Sequence, residues 1–149
     1  MITVQQAEQL IFENTRDYGA EIVLFDEALG RVLAENIKAD RDLPAFNRVT
    51  MDGIAINYRS FEKRITTFNI KATQAAGDQP SDIDKSDECI EIMTGAALPD
   101  SVDTVIRYED IEIKDGKATI LINNLKKGQN LHLKGNDKNK ATCCSPPGN

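Results

Sequence analysis

Two short segments of this 149-residue chain carry side chains suited to act on a ligand. The first is Leu43-Pro-Ala-Phe-Asn-Arg-Val-Thr-Met-Asp-Gly-Ile-Ala-Ile56, which runs from a proline through a polar turn into an apolar stretch. Its Asp52-Gly53 step places a carboxylate on a tight turn, beside a residue that tolerates positive φ. The second, about 40 residues on, is Ile92-Met-Thr-Gly-Ala-Ala-Leu-Pro99, a spacing that fits two elements of one compact domain. It sets the Thr94 hydroxyl beside Gly95, after an apolar stretch and before a proline stop. Neither turn specifies a reaction by itself. Asp before Gly also caps its own turn, and Thr also bonds locally or caps a helix.

The elements that hold these turns follow from local pattern. Thr3-Val-Gln-Gln6 is a capping box, and Ala7, Leu10 and Ile11 follow at helical spacing, which predicts a helix over 4–18 with Gly19 just past its end. Glu21–Phe25 reads as extended, Asp26–Gly30 as one capped helical turn, and Arg31–Ile37 as extended. Residues 39–48 form a loop around Pro44. Strand density marks Ile65–Thr73 and Asp103–Tyr108. Ser86 is read as the cap of a short helix over 87–93, with Cys89, Ile90 and Met93 inward. Ile111–Lys114 and Ala118–Ile122 flank Asp115-Gly116, the strongest hairpin signal in the chain. The expected fold class is α+β: an elongated helical lobe over 1–42, a β-rich lobe over 43–140, and a return segment over 141–149. The closing Ser145-Pro-Pro-Gly-Asn149 has loop composition and leads one to expect more protein beyond it.

Composition narrows the function classes. Apolar residues make up 40% and charged residues 28%, a globular balance. A net charge of −6 argues against nucleic acid as the main partner, because phosphate neutralisation needs clustered Lys and Arg. A small anionic ligand remains compatible, since a local basic pocket can sit in an acidic protein. No apolar run approaches the ~20 residues of a membrane span, and the first residues lack signal-peptide character, so the expected location is cytoplasmic with no membrane partner. Cys89, Cys143 and Cys144 have no framework spacing and are read as packing residues.

Five segments, in order, resemble the amino-terminal half of the molybdopterin molybdotransferases, the MoeA and gephyrin E-domain family. Glu27–Ile37 is similar to the family's Gln-Ala-Leu-Gly-Arg-Val-Leu-Ala-Glu-Asp-Ile. Leu43–Ile56 resembles Pro-Pro-Phe-Asp-x-Ser-Ala-Met-Asp-Gly-Tyr-Ala-Val. Ile92–Pro99 and Asp103–Glu109 resemble Ile-Met-Thr-Gly-Ala-Pro-Leu-Pro and the acid-ended strand after it. Gly128–Asp137 resembles Gly-Glu-Asn-Ile-Arg-Arg-Arg-Gly-Glu-Asp. The likeness spans roughly residues 4–149. Departures are Asn47, Val49 and Ile54 around the first turn, and His132, Leu133 and Asn136 near Asp137, where only Lys134 keeps a positive charge.

The resemblance implies a reaction in which adenylylated molybdopterin and molybdate give molybdenum on the dithiolene as the adenylate is cleaved, assisted by Mg2+. It implies a homodimer in which this region closes over a catalytic domain that the 149 residues do not contain, so this chain alone is expected to be inactive. By the same resemblance Asp52 and Thr94 are the catalytic candidates. Gly53, Gly95 and Lys134 are candidates for ligand binding, and Asp52 and Asp137 for the metal, since phosphoanhydride cleavage needs a cation held by carboxylates. The Gly-rich turn at Thr94 is expected to aim backbone N–H groups at an oxyanion such as molybdate or phosphate. Glu109 is a further, weaker candidate, and His132 reads as a solvated strand position. The competing reading is a non-catalytic dimerisation or scaffolding module of the same fold. An unrelated metal-dependent phosphohydrolase is a third.

Overall fold

The computed structural model describes residues 2–16 and 18–148. It is α+β and mostly β, and it divides into two compact units: the residues up to Asn36 with those from Ser145 on, and Ile37–Cys144.

The first unit holds α1, Val4–Asn14, which opens with the expected capping box. Gln6 N–H donates to Thr3 Oγ1 at 3.2 Å, and Thr3 N–H donates to Gln6 Oε1 at 2.9 Å. The helix stops four residues short of the expected end, for a local reason. The Asn14 amide and the Thr15 hydroxyl donate to the Leu10 and Ile11 carbonyls at 2.8 and 2.7 Å, competing with the backbone for the last acceptors. The expectation at Asp17 lies outside the described residues. A single 3₁₀ turn follows at Phe25–Glu27.

The second unit contains β1 (Ile37–Lys38), β2 (Arg48–Val49), β3 (Gly53–Ile56), α2 (Tyr58–Glu62), β4 (Thr67–Gln74), β5 (Glu88–Ile92), β6 (Thr104–Arg107), β7 (Ile111–Lys114), β8 (Lys117–Ile120), β9 (Leu131–His132) and the first two residues of β10 (Cys143–Ser145). Six of the strands form one sheet in the order β6-β3-β5-β4-β8-β7. All its pairs are antiparallel except β4 with β5. A parallel neighbour needs a crossover of about a dozen residues, and residues 75–87 provide it.

Alternation along the strands builds a core on each face of this sheet. Ile54, Ile56, Phe68, Cys89 and Ile106 fill one face, and Ala55, Ile90, Ile92 and Val105 the other, joined by Val49 and Ala96. The Asp115-Gly116 hairpin forms as expected, with φ of +49° and +72° that match a type I′ turn.

The helix expected over 87–93 is instead β5, with Cys89, Ile90 and Ile92 buried. A short apolar run has no decisive period of its own, and flanking strands on both sides supply the hydrogen bonds that make it a strand. Packing explains Cys89 alone among the cysteines. Cys143 and Cys144 are exposed, and none of the three forms a disulfide.

Candidate functional site

The two segments singled out in the sequence lie side by side. Residues 47–49 pair with 95–98: Val49 N–H donates to the Ala96 carbonyl at 3.0 Å, Gly95 N–H to Val49 at 2.9 Å, and Leu98 N–H to Asn47 at 2.9 Å. On its other edge the same strand pairs with β9, Arg48 opposite His132 and Val49 opposite Leu131. The chain then turns through Thr50–Asp52 into β3.

Gly53 is required here by packing. A Cβ at this position would stand 1.9 Å from the Ile106 carbonyl oxygen and 2.7 Å from the Arg107 Cα. The close approach of β6 fixes where the preceding carboxylate points. Gly95 has φ of +90°, which lets the second turn reverse before the Ala96 contact.

The turn so aimed brings Asp52 to Thr94. Thr94 N–H donates to Asp52 Oδ1 at 2.6 Å, a bond between residues 42 apart in the chain. The Thr94 backbone N–H, and after it the Thr94 hydroxyl, hold the Asp52 carboxyl below the ordinary carboxylate value. Both residues are exposed, so an ionised oxygen and a hydroxyl stand together at the surface.

The expected backbone oxyanion cradle is absent from this turn. Met93 N–H donates to Gln74, Gly95 N–H to Val49, Ala96 N–H to Met93 and Thr94 N–H to Asp52, so the four donors of 93–96 are engaged within the protein. The reason is topological: the turn is wedged between β4 and the 47–49 segment, and both edges claim its donors. Side chains, not this stretch of backbone, are what the turn offers a ligand.

Lys134 and Asp137 belong to a second group, built where residues 132–138 meet the Leu43-Pro44 loop. Asp137 N–H and Lys138 N–H donate to the Leu43 carbonyl at 2.9 and 3.2 Å. Asp137 Oδ1 lies 2.8 Å from His132 Nε2, and Lys134 Nζ lies 3.7 Å from Asp42. Asn47, which replaces an acid of the resembled pattern, accepts Lys134 N–H on Oδ1 at 3.0 Å. His132 is thus half-buried and partnered by Asp137, not a solvated strand position.

Sequence reasoning missed the residues behind Asp52. Tyr108 N–H donates to the Asp52 carbonyl at 3.2 Å, and the Tyr108 hydroxyl donates to Glu91 at 2.8 Å. Thr73 holds the other Glu91 oxygen at 2.7 Å. Burial, then Glu91, pushes the Tyr108 hydroxyl up to about 12. Only strand register brings these groups together, and no spacing in the sequence encodes it. The weaker candidate Glu109 is exposed on the 3₁₀ turn Tyr108–Asp110.

Among the described residues no group of three His, Cys, Asp or Glu side chains gathers to hold a metal ion. The carboxylates present are single hard donors. They make no closed protein cage, and a hard cation held there would draw its remaining ligands from water or substrate.

Comparison with known proteins places this arrangement. Residues 2–149 match the family model of the MoeA N-terminal region, domains I and II. The chain is 37% identical over 138 residues to a molybdopterin molybdenumtransferase of Synechocystis sp., covering 92% of this chain and 35% of that protein. It is 30% identical over 146 residues to the molybdopterin molybdenumtransferase of Haemophilus influenzae, covering 94% and 35%. The crystal structure of a molybdopterin biosynthesis moeA protein from Pyrococcus horikoshii OT3 superposes with a TM-score of 0.82 at 26% identity, covering 96% of this chain and 39% of that one. The chain thus spans about a third of the length of the curated relatives it matches. Matched over residues 2–149, this chain belongs to the MoeA family, as the N-terminal region comprising domains I and II.

Proposed function

We propose that this chain serves as the N-terminal region of a molybdopterin molybdenumtransferase, contributing Asp52 and Thr94 to the insertion of molybdate into adenylylated molybdopterin. The observation that carries the reading is the bond from Thr94 N–H to Asp52 Oδ1, which joins two distant turns into one exposed carboxylate–hydroxyl pair. When an oxyanion binds, the Thr94 hydroxyl turns from Asp52 and donates to it. Asp52 stays ionised and offers a hard oxygen to a cation, while Gly53 and Gly95 aim the two side chains. Lys134 and Asp137 act at the neighbouring edge, the first on anionic substrate groups and the second as a further carboxylate donor. Mg2+, when bound, supplies charge neutralisation on the phosphoanhydride. A homodimer in the cytoplasm completes the reading, and the whole protein, not this region alone, performs the turnover.

A scaffolding role is favoured by a different observation: none of the described residues up to Asn36 is buried, which suits a surface made for association. Asp52→Asn in the full-length enzyme separates the readings. Asn keeps the bond from Thr94 and removes the charge. Molybdenum insertion should fall on the order of 10²-fold if the charge acts on a cation or developing anion, with the melting temperature unchanged. Normal insertion by a stable Asp52→Asn enzyme leaves Asp52 as a turn residue and favours the scaffold.

A further inference from the structure

Gln74 is the last residue of β4 and is 1% exposed. It stands in register with Ile92 of the parallel strand β5, just before the Thr94 turn. Its carbonyl accepts Met93 N–H at 3.1 Å. Its side-chain Nε2 donates to the Ala97 carbonyl at 2.7 Å, and its Oε1 accepts Ser81 N–H at 3.0 Å. One residue therefore grips the turn at its entry and at its exit, with Thr94 and Gly95 held between. The amide has one orientation. Turned over, it would set oxygen against the Ala97 carbonyl and NH₂ against Ser81 N–H. A further contact backs the turn, since a Cβ on Gly95 would come 3.3 Å from the Ala76 Cβ.

We infer that Gln74 is a positioning residue for the Asp52–Thr94 pair, its buried amide clamping residues 93–97 so that Thr94 meets the Asp52 carboxylate. This rests on the reading of that pair as the functional one, and it adds the part that sets its geometry. The 2.6 Å bond from Thr94 N–H depends on where the turn is held, and the Asp52 side chain, being exposed, has no packing of its own to hold it there. Gln74 acts without touching a ligand, because it lies beneath the turn.

The clamp is tested by Gln74→Met in the 149-residue chain, followed by NMR. Methionine fills the space, and the backbone bond from Met93 to residue 74 remains, so β4 and β5 stay paired. Only the hold on Ala97 and Ser81 is lost. The expected result is a Thr94 amide that exchanges at least tenfold faster, with the Asp52 carboxyl titrating closer to the ordinary value of about 3.9. The amides of Ile90 and Ile92 should keep their protection, which separates loss of the clamp from general loosening. Unchanged Thr94 exchange and unchanged Asp52 titration in a folded variant overturn the proposal. If the methionine variant does not fold, Gln74→Leu serves. It is likewise apolar, uncharged and of similar size, it breaks the same two bonds, and the same two readouts decide in the same sense. Neither readout uses turnover. The clamp can fail while the Asp52→Asn assay upholds the site, and it can stand while that assay rejects it.

Discussion

At the scale of single residues, the environment of Asp52 dictates a pH dependence. Its carboxyl is held low chiefly by Thr94 N–H. A depressed carboxylate contributes stability that is present above its unfolded value of about 3.9 and is lost as pH falls through the lower folded value. Asp52→Ala removes both the acceptor and the charge. The stability difference between the native chain and Asp52→Ala should therefore hold from pH 7 down to about 4, then shrink below it. Urea unfolding at a series of pH values reads this, and a difference that grows on acidification contradicts the assignment. Asp52→Asn, which also cannot titrate, should show the same shrinkage on acidification with a smaller difference at pH 7, because it keeps the acceptor.

The strands set which groups are reachable. In β5, Cys89 packs among Ile54, Ile56, Phe68 and Ile106, and burial followed by the charge of Glu91 pushes its thiol up to about 12. A thiol reacts as thiolate, so Cys89 should be inert in the folded chain. Cys143 and Cys144 are exposed on β10. An aromatic disulfide reagent at pH 8 should modify two thiols in the native protein and the third only on unfolding. Rapid modification of all three would mean that β5 is not the buried strand described. The same strand explains Glu91, whose two oxygens are taken by Tyr108 and Thr73 across the sheet.

On the scale of the whole molecule, the two units differ in kind. Ile37–Cys144 has apolar clusters on both faces of its sheet, whereas the described residues up to Asn36 include none that is buried. In that stretch Phe12 is 71% exposed, Phe25 93% and Leu29 97%. A unit with so much apolar side chain in water lacks a core of its own, and such surface marks an interaction site. Self-association through it should bury more than about 2,000 Å², as obligate interfaces do. Sedimentation equilibrium should show a dimer, and Phe12→Glu should raise the dissociation constant at least tenfold. A folded monomer at high concentration contradicts this.

The sequence by itself determined the family, the α+β class, the capping box at Thr3 and Gln6, and the type I′ hairpin at Asp115-Gly116. Each depends on neighbours along the chain, where side-chain chemistry and backbone preference act directly. It also marked Asp52 and Thr94, because their turns carry recognisable residues. What it left open were matters of register. Within the run 87–93, Glu88–Ile92 became a strand only because β3 and β4 flank it. Of the N–H groups of the Thr94 turn, β4 takes that of Met93 and residue 49 that of Gly95, while Asp52 and the Met93 carbonyl take the other two. Lys134 and Asp137 meet the Leu43-Pro44 loop and not Asp52 in any described hydrogen bond or ion pair. The Tyr108–Glu91 and Gln74–Ala97 bonds span 17 and 23 residues. Such pairings are set by which strands lie adjacent and by how each face is buried, and the tertiary structure alone decides both.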